Sequence, residues 1–298
     1  MKRVVGLGAC VYDTLIECGE YPREDTKYRA DNTFISGGGP VSNALVVMSK
    51  LGVRAEYLGA FAEDAAGDFL LQDFKKAAVG TEYAVRVGKR SFSSYIVLSE
   101  TGGTRTCIFD KGDIPDDPRL LDFSCLDGAD LLHLDGNYLE CAIAAAKIAK
   151  RKSVPVSLDA GGLYRGIERL LPYIDILIPS AEFAQGITGE STAEKAMTAL
   201  YKEYKPRVIA VTCGKDGGFY LQDGHAEKYS ALHVKSADTN GAGDTFHGAF
   251  IVAFLAGESV EDCCKYASRV AAYKCARRGL RGLKFDAESI NACEREGE

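Results

Sequence analysis

The apolar positions beyond residue 129 fall into short runs that alternate with longer stretches of helical periodicity. Such alternation is typical of a mostly parallel sheet covered by helices on both faces. Four apolar runs predict buried strands: 130–134, 154–158, 174–178 and 207–212. Helices are expected, here and earlier in the chain, at 41–51, 63–78, 139–149, 165–171, 192–204, 243–256 and 260–275. Asp223-Gly224 predicts a tight hairpin after the last of these strands.

Two segments of the N-terminal part, 11–36 and 83–110, have the pattern of extended, partly polar strands. Within the second segment, strands at 93–98 and 104–109 are expected to pair across Glu100-Thr-Gly-Gly103. These segments predict a small β sheet that projects from the α/β body, either as a lid over a substrate cleft, as a homodimer contact, or as both. The whole chain, 1–298, is expected to be one domain with the two segments inserted in it.

Composition and charge are those of an ordinary soluble globular protein, with 46% hydrophobic residues, 26% charged residues and a net charge of −6. The negative charge argues against nucleic acid as the main partner, because phosphate backbones demand clustered Lys and Arg. No apolar run reaches the length that spans a membrane. The ten cysteines include no Cys-x-x-Cys pair, so we expect reduced core thiols in a cytoplasmic protein.

The run from Asp238 to Gly248, Asp-Thr-Asn-Gly-Ala-Gly-Asp-Thr-Phe-His-Gly, carries the most specific chemistry. It leads directly into an apolar helix, and glycines at a helix start leave the first backbone N–H groups free to hold an anion. Asp244 beside that anion is placed to take a proton from an attacking nucleophile. An anion cradle with a base beside it predicts phosphoryl transfer.

A second glycine-rich run, Gly37-Gly38-Gly39-Pro40-Val-Ser-Asn43, also opens a predicted helix. It is not a nucleotide P-loop, because the Gly-Lys-Ser/Thr ending is missing. Small residues let a ligand touch the backbone, and Asn43 offers a donor and an acceptor that suit a sugar hydroxyl. The alternative is a plain turn and helix cap with a solvated Asn43.

Two further turns leave a choice of interpretation. Gly6-Leu-Gly8 resembles the start of a dinucleotide fingerprint but lacks the third glycine, so we expect a first strand that ends at Asp13. Asp13 would then lie where open α/β sheets bind ligands. The Thr212–Gly217 turn also follows a strand, and either passes near a nucleotide or is an ordinary hairpin connection.

The run from Asp238 to Phe246 resembles the C-terminal signature of the ribokinase-like, or pfkB, carbohydrate kinases, and Gly38–Asn43 resembles their N-terminal signature. The resemblance covers essentially the whole chain. It implies a three-layer α/β fold with a mostly parallel central sheet and a small β lid.

The resemblance also implies roles for individual residues. The base would be Asp244, and the anion hole for the transferring phosphate would comprise Gly241, Ala242 and Gly243. Sugar hydroxyls would be held by Asp13, Gly38, Gly39 and Asn43. ATP, with Mg²⁺, would lie along Thr212, Gly214 and Gly217. A monovalent cation, with K⁺ as the candidate, would bind near Asp238, Asn240 and Gly279.

This chain departs from the family pattern in two places. Many members carry Asn-x-x-Glu where this sequence has Ser180-Ala-Glu182, so Glu182 is the candidate to arrange the magnesium shell. Ribokinases proper have a Lys where this chain has Pro40, which argues against ribose. Arg105, in the predicted lid, is placed either to reach the substrate or to remain solvated.

These features together predict an ATP-dependent kinase acting on a primary hydroxyl of a small sugar or related polyol. One alternative is a nucleoside kinase, whose base would need an apolar wall such as Tyr12, Phe34, Tyr95 and Phe109. Another, from a different class, is an NAD-dependent oxidoreductase built on the Gly6 turn.

Overall fold

The computed structural model describes residues 1–99, 101 and 104–297, the last four of them by backbone only. Its central sheet has six parallel strands: β1 (Arg3–Leu7), β4 (Arg54–Tyr57), β9 (Leu131–Leu134), β10 (Val156–Ala160), β11 (Ile176–Pro179) and β12 (Val208–Thr212). An antiparallel hairpin extends it: β13 (Gly218–Gln222) and β14 (His225–Tyr229). The order is β14-β13-β12-β11-β10-β9-β1-β4. This confirms the predicted mostly parallel sheet.

Helices cover both faces of this sheet, because its strands are apolar on both sides. One face carries α1 (Pro40–Lys50), α2 (Ala65–Lys76), α6 (Ala242–Ala256), α7 (Val260–Cys275) and α8 (Ala287–Gly297). The opposite face carries α3 (Leu139–Arg151), α4 (Ala181–Thr188) and α5 (Ala193–Tyr204). Within the described part of the chain, no helix has the length and apolar character needed to cross a membrane.

A separate four-stranded sheet, here called the small sheet, is built from two distant segments, as predicted. Its strands are β2 (Val11–Cys18), β3 (Asn32–Gly38), β7 (Ser93–Ser99) and β8 (Thr104–Asp110), in the order β3-β2-β7-β8. Most of the predicted β7–β8 turn, Glu100 and Gly102-Gly103, lies outside the described residues. Two further short strands, β5 (Ala60–Phe61) and β6 (Val85–Arg86), come between β3 and β7 in the sequence and pair with each other in parallel.

The expectation that the first strand runs to Asp13 is wrong. Strand β1 ends at Leu7, and a new strand in the small sheet begins at Val11. The chain passes directly beneath Asp135, since a Cβ on Gly8 would lie 2.4 Å from that carboxyl group and Ala9 N donates to it at 2.8 Å. Gly8 is therefore needed for close packing, and Asp13 belongs to the small sheet.

The elements that were not expected include α4, β4 and α8, whose patterns are short or mixed. Helix α4 has eight residues and ends at Gly189 in the left-handed conformation, so it spans little more than two turns. Strand β4 alternates charged and apolar side chains at an edge of the sheet. Helix α8 follows the last predicted helix. The helix expected at 165–171 is instead two three-residue 3₁₀ turns, 167–169 and 171–173.

Candidate active site

A cavity of about 450 Å³ lies between the small sheet and the carboxyl ends of the central strands. Asp135, Asp159, Ser180 and Thr212 border it from the ends of β9, β10, β11 and β12. Ten of the residues singled out in the sequence line this cavity: Asp13, Gly39, Asn43, Arg105, Thr212, Asn240, Gly241, Ala242, Gly243 and Asp244. The fold thus brings together side chains that are more than 200 positions apart in the chain.

The start of α6 faces this cavity with its backbone exposed. Gly241 precedes the helix in the left-handed conformation, with φ at 76°, and no side chain of the described residues caps the helix. A Cβ on Gly243 would meet nothing within 4 Å among the described atoms, so the approach is open. Ala242 N donates to Thr239 O at 3.2 Å, but the following N–H groups of this first turn and the positive end of the helix dipole still suit it to an anion.

Asp244 lies in the first turn of α6 and is held by Asn43 from α1. Asn43 Nδ2 donates to Asp244 Oδ2 at 2.6 Å. Burial raises the pKa of Asp244 to about 7, with a further rise from the Asp159 carboxylate; the Asn43 hydrogen bond and His247 act in the opposite direction. A carboxyl group with a pKa near the operating pH is suited to general base catalysis.

A buried His–Asp pair adjoins Asp244 and was missed in the sequence, where the histidines looked scattered. His247 lies one helical turn after Asp244, and its Nε2 is 3.2 Å from Asp159 Oδ1. Burial opposes ionisation of Asp159, but the charge and hydrogen bond of His247 prevail and lower its pKa. Behind this pair, burial lowers the pKa of His133 to about 3, which keeps that ring neutral. The spacing of His247 from Asp244 on one helix face was the available signal.

Asp13 faces the cavity from the small sheet. The Ser94 hydroxyl donates to Asp13 Oδ1 at 2.6 Å, and burial raises the pKa of Asp13 to about 6. Gly38 lies against this carboxylate, and a Cβ there would lie 1.8 Å from Asp13 Oδ2. Gly38 is therefore beneath Asp13 and not among the lining residues. Arg105 spans the gap to the body, with Nη1 3.5 Å from Thr239 Oγ1.

The remaining residues expected near the nucleotide are more dispersed. Thr212 borders the cavity, whereas Gly214 and Gly217 lie in the turn behind it. A Cβ on Gly217 would lie 2.1 Å from Tyr229 O, so this turn packs closely on the end of β14. A second cavity, of about 700 Å³, begins at residues 230–232 and continues between α6 and α7.

Glu182 is not brought to the first cavity. It is exposed in the first turn of α4, while Ser180, two positions earlier, borders the cavity. The Ser180 hydroxyl accepts from Phe183 N at 3.1 Å and so caps α4. Ser180, at the position where the family pattern has asparagine, therefore acts as the N-cap of α4.

The three residues expected to surround a monovalent cation do lie together, around a lysine that the sequence did not single out. Asp238 Oδ1 accepts from Asn240 N at 2.8 Å, and Asp238 Oδ2 accepts from Gly279 N at 3.0 Å. Lys274 is fully buried, with Nζ 2.7 Å from Asp238 Oδ2 and 2.8 Å from Asp238 O. Among the described residues, no group of three or more His, Cys, Asp or Glu side chains is arranged to hold a metal ion.

Known proteins share both the sequence pattern and the fold of this chain. The sequence profile of the pfkB family of carbohydrate kinases matches residues 1–285. The chain belongs to this family. Ketohexokinase of Mus musculus is 26% identical over 298 residues, covering 95% of this chain and 99% of that protein.

Solved structures agree with this assignment. Arabidopsis thaliana ribokinase, solved with ribose and ATP, is 25% identical and superposes with a TM-score of 0.83 over 99% of both chains. Adenosine kinase from Sinorhizobium meliloti superposes with a TM-score of 0.83 over 100% of this chain and 99% of that one, at 18% identity. The second similarity shows the fold alone. The expected ribokinase-like fold is confirmed.

Proposed function

We propose that this enzyme transfers the γ-phosphate of ATP to a primary hydroxyl of a small neutral sugar or related polyol. The observation that carries the proposal is the placement of Asp244, a buried carboxyl group with a pKa of about 7, beside the uncapped start of α6. Membership of the pfkB family and the similarity to ketohexokinase and ribokinase support a sugar as the acceptor.

Asp244 acts as the general base. It takes the proton of the attacking hydroxyl, the hydroxyl oxygen bonds to the γ-phosphorus in line, and ADP leaves with the electrons of the broken P–O bond. The backbone N–H groups of Gly241, Gly243 and Asp244 hold the charge that develops on the phosphoryl oxygens, and Ala242, whose own N–H donates to Thr239 O at 3.2 Å, completes the turn between them. The buried site strengthens these interactions because water is excluded.

The small sheet binds the sugar and serves as a lid, through segments 11–36 and 83–110 of a single catalytic domain. Asp13 and Asn43 bond to sugar hydroxyls, while Gly38 and Gly39 allow the close approach that these contacts need. Arg105 is the only Lys or Arg among the described lining residues, against several carboxylates. This charge balance favours a neutral acceptor over a sugar phosphate.

ATP lies with its phosphates at α6 and passes Thr212, Gly214 and Gly217 toward the second cavity. That cavity has the apolar side chains Leu232 and Val252 to receive the base. Bound with the nucleotide, Mg²⁺ would neutralise part of the charge on its phosphates. Glu182 is exposed outside the first cavity and takes no part in the transfer.

A coupled assay of ADP release across a panel of sugars, polyols and nucleosides tests this function. At least one neutral sugar or polyol should be phosphorylated, and Asp244→Asn should fold, bind MgATP and turn over about 10²- to 10⁴-fold more slowly. Near-wild-type turnover by this variant would show that Asp244 is not the general base. Thermal stabilisation by NADH and not by MgATP would favour the oxidoreductase instead.

A nucleoside acceptor is the second candidate, since the adenosine kinase shares the fold. The expected aromatic wall is incomplete: Phe109 lines the cavity and packs on Phe92, with ring centres 5.8 Å apart. Tyr95 is 52% exposed, and Tyr12 packs against a neighbouring aromatic ring. Phe34 borders a different cavity. The panel decides between the two acceptors directly.

We also propose that two copies associate through the outer face of the small sheet. Ile35, Tyr95 and Ile108 lie in one row across the strands there, with Thr14 between the first two, and are each about half exposed. Light scattering should show a dimer that Ile108→Glu dissociates; a monomeric wild type would contradict this. A cytoplasmic location suits the ten cysteines, all of which are free thiols.

A further inference from the structure

Lys274 places a positive charge inside the protein, directly below the phosphate-binding turn. Its side chain is fully buried, and its ammonium group contacts both the carbonyl oxygen and a carboxylate oxygen of Asp238. Taking an ammonium ion out of water costs several kcal/mol, which close pairing must offset. The Asp238 side chain is itself only 10% exposed, so both charges depend on each other.

This lysine occupies the surroundings in which the family resemblance led us to expect a monovalent cation. Such an ion would need the oxygens of Asp238 as ligands. Oδ2 and the carbonyl oxygen already accept from Lys274, at 2.7 and 2.8 Å, and Oδ1 accepts from Asn240 N. An ammonium group carries the same single charge as K⁺ and takes oxygen partners at these distances. The residues present therefore do not fit a separate metal ion.

We propose that Lys274 is the built-in cation of this enzyme, which therefore works without K⁺. The proposal rests on the kinase function above. Lys274 is a positioning residue, because it acts through Asp238 and does not touch the reacting atoms.

The connection from Lys274 to the anion site is short and continuous. Asp238 binds the ammonium group through one carboxylate oxygen and Asn240 N through the other. Asn240 immediately precedes Gly241, whose left-handed conformation starts α6. The backbone of this turn is also tied to α7, since Ala237 N and Asp238 N both donate to Cys275 O. The ammonium charge thus holds the turn and neutralises a carboxylate that would otherwise repel the phosphates.

The direct test compares the wild-type enzyme in tetramethylammonium buffer with and without added K⁺, Na⁺ or Li⁺. The kcat, the melting temperature and the Kd for MgATP should each respond weakly, with kcat changing by less than about twofold. The reason is that a side chain of the protein itself occupies the cation site. A roughly tenfold activation by K⁺, or a K⁺-specific rise in melting temperature, would overturn the proposal.

Two variants sharpen the test. In the same buffer, Lys274→Ala should lower kcat about 10- to 100-fold by releasing the turn, and ammonium, ethylammonium or K⁺ should restore much of it by entering the space left behind. Lys274→Met fills that space with an apolar chain and should stay impaired in every salt. Lys150→Ala is the matched control, because Lys150 pairs with Asp175 where β11 begins, at the end of the sheet away from the cavity, and it should behave as wild type.

The outcomes separate this proposal from the proposed function. Failure of the wild type to phosphorylate any acceptor in any salt would refute the kinase, whereas a need for K⁺ would refute only the role of Lys274. A folded Lys274→Ala with wild-type kcat and no response to cations would show that the lysine merely stabilises the fold, which also contradicts the proposal. If Lys274→Ala does not fold, the wild-type salt series still decides.

Discussion

Removing the Asn43 side chain should shift the pH dependence of catalysis in a predictable direction. Asn43→Ala deletes the 2.6 Å hydrogen bond to Asp244, which favours the ionised carboxylate. A hydrogen bond to a charged group contributes about 1.5–3 kcal/mol, or about one to two pKa units. The pKa of Asp244 should therefore rise from about 7 to about 8–9.

The sign follows from the chemistry, since only ionised Asp244 accepts the proton of the hydroxyl. At pH 7 the ionised fraction should fall from about one half to between about 10% and 1%, so kcat/KM should drop about 5- to 50-fold. The pH-dependent part of this loss should disappear by about pH 10, where the carboxyl group is ionised again, whereas the missing sugar contact should leave a reduction that does not change with pH.

Profiles of kcat/KM against pH, measured for wild type and variant from pH 5 to about pH 10, provide the assay because they report the pKa values of the free enzyme. Asn137→Ala is the control, since Asn137 lines the same cavity and its backbone N–H donates to Asp135. If the Asn43→Ala profile keeps the wild-type pKa on its acidic side and is only lower throughout, Asn43 does not control the pKa of Asp244. Its contribution would then be limited to contact with the sugar.

Two other predictions concern the neighbours of these groups. His247→Gln removes the ring that pairs with Asp159 and that lowers the pKa of Asp244. The acid limb of kcat/KM should then move to higher pH by as much as about two units, and an unchanged limb would refute this influence of His247. Gly38→Ala places a Cβ 1.8 Å from Asp13 Oδ2 and should raise the sugar KM about tenfold or more. Gly282→Ala, whose Cβ meets nothing within 4 Å, should leave KM unchanged, and equal effects of the two would contradict the close-packing argument.

The sequence was most informative where local pattern and chemistry coincide. The apolar runs predicted the parallel strands, and the two glycine-rich runs predicted the two helix starts that meet at the cavity. The first strand was misjudged because nothing local distinguishes a strand that continues through Gly8 from one that turns there. The turn is set by Asp135, a residue 126 positions away that binds Ala9 N.

The charged pairs behind the site could not be read from the sequence for a related reason. Lys274 lies in the last turn of α7, where a lysine is ordinarily solvated and favoured by the helix dipole. Its burial depends on the loop before α6 and on the Gly279 turn, which are separate in the chain. His247 and Asp159 likewise meet only after β10 and α6 have packed together.

The small sheet has a consequence for how this enzyme folds. Strand β2 pairs in parallel with β7, and Asp13 meets Ser94 across 81 positions of chain that include α1 and α2. Pairing over so long a loop carries an entropic cost and forms slowly, after contacts that are closer in sequence. The wall that the small sheet gives to the cavity is therefore expected to form late in folding and to be among the first parts to open in local unfolding.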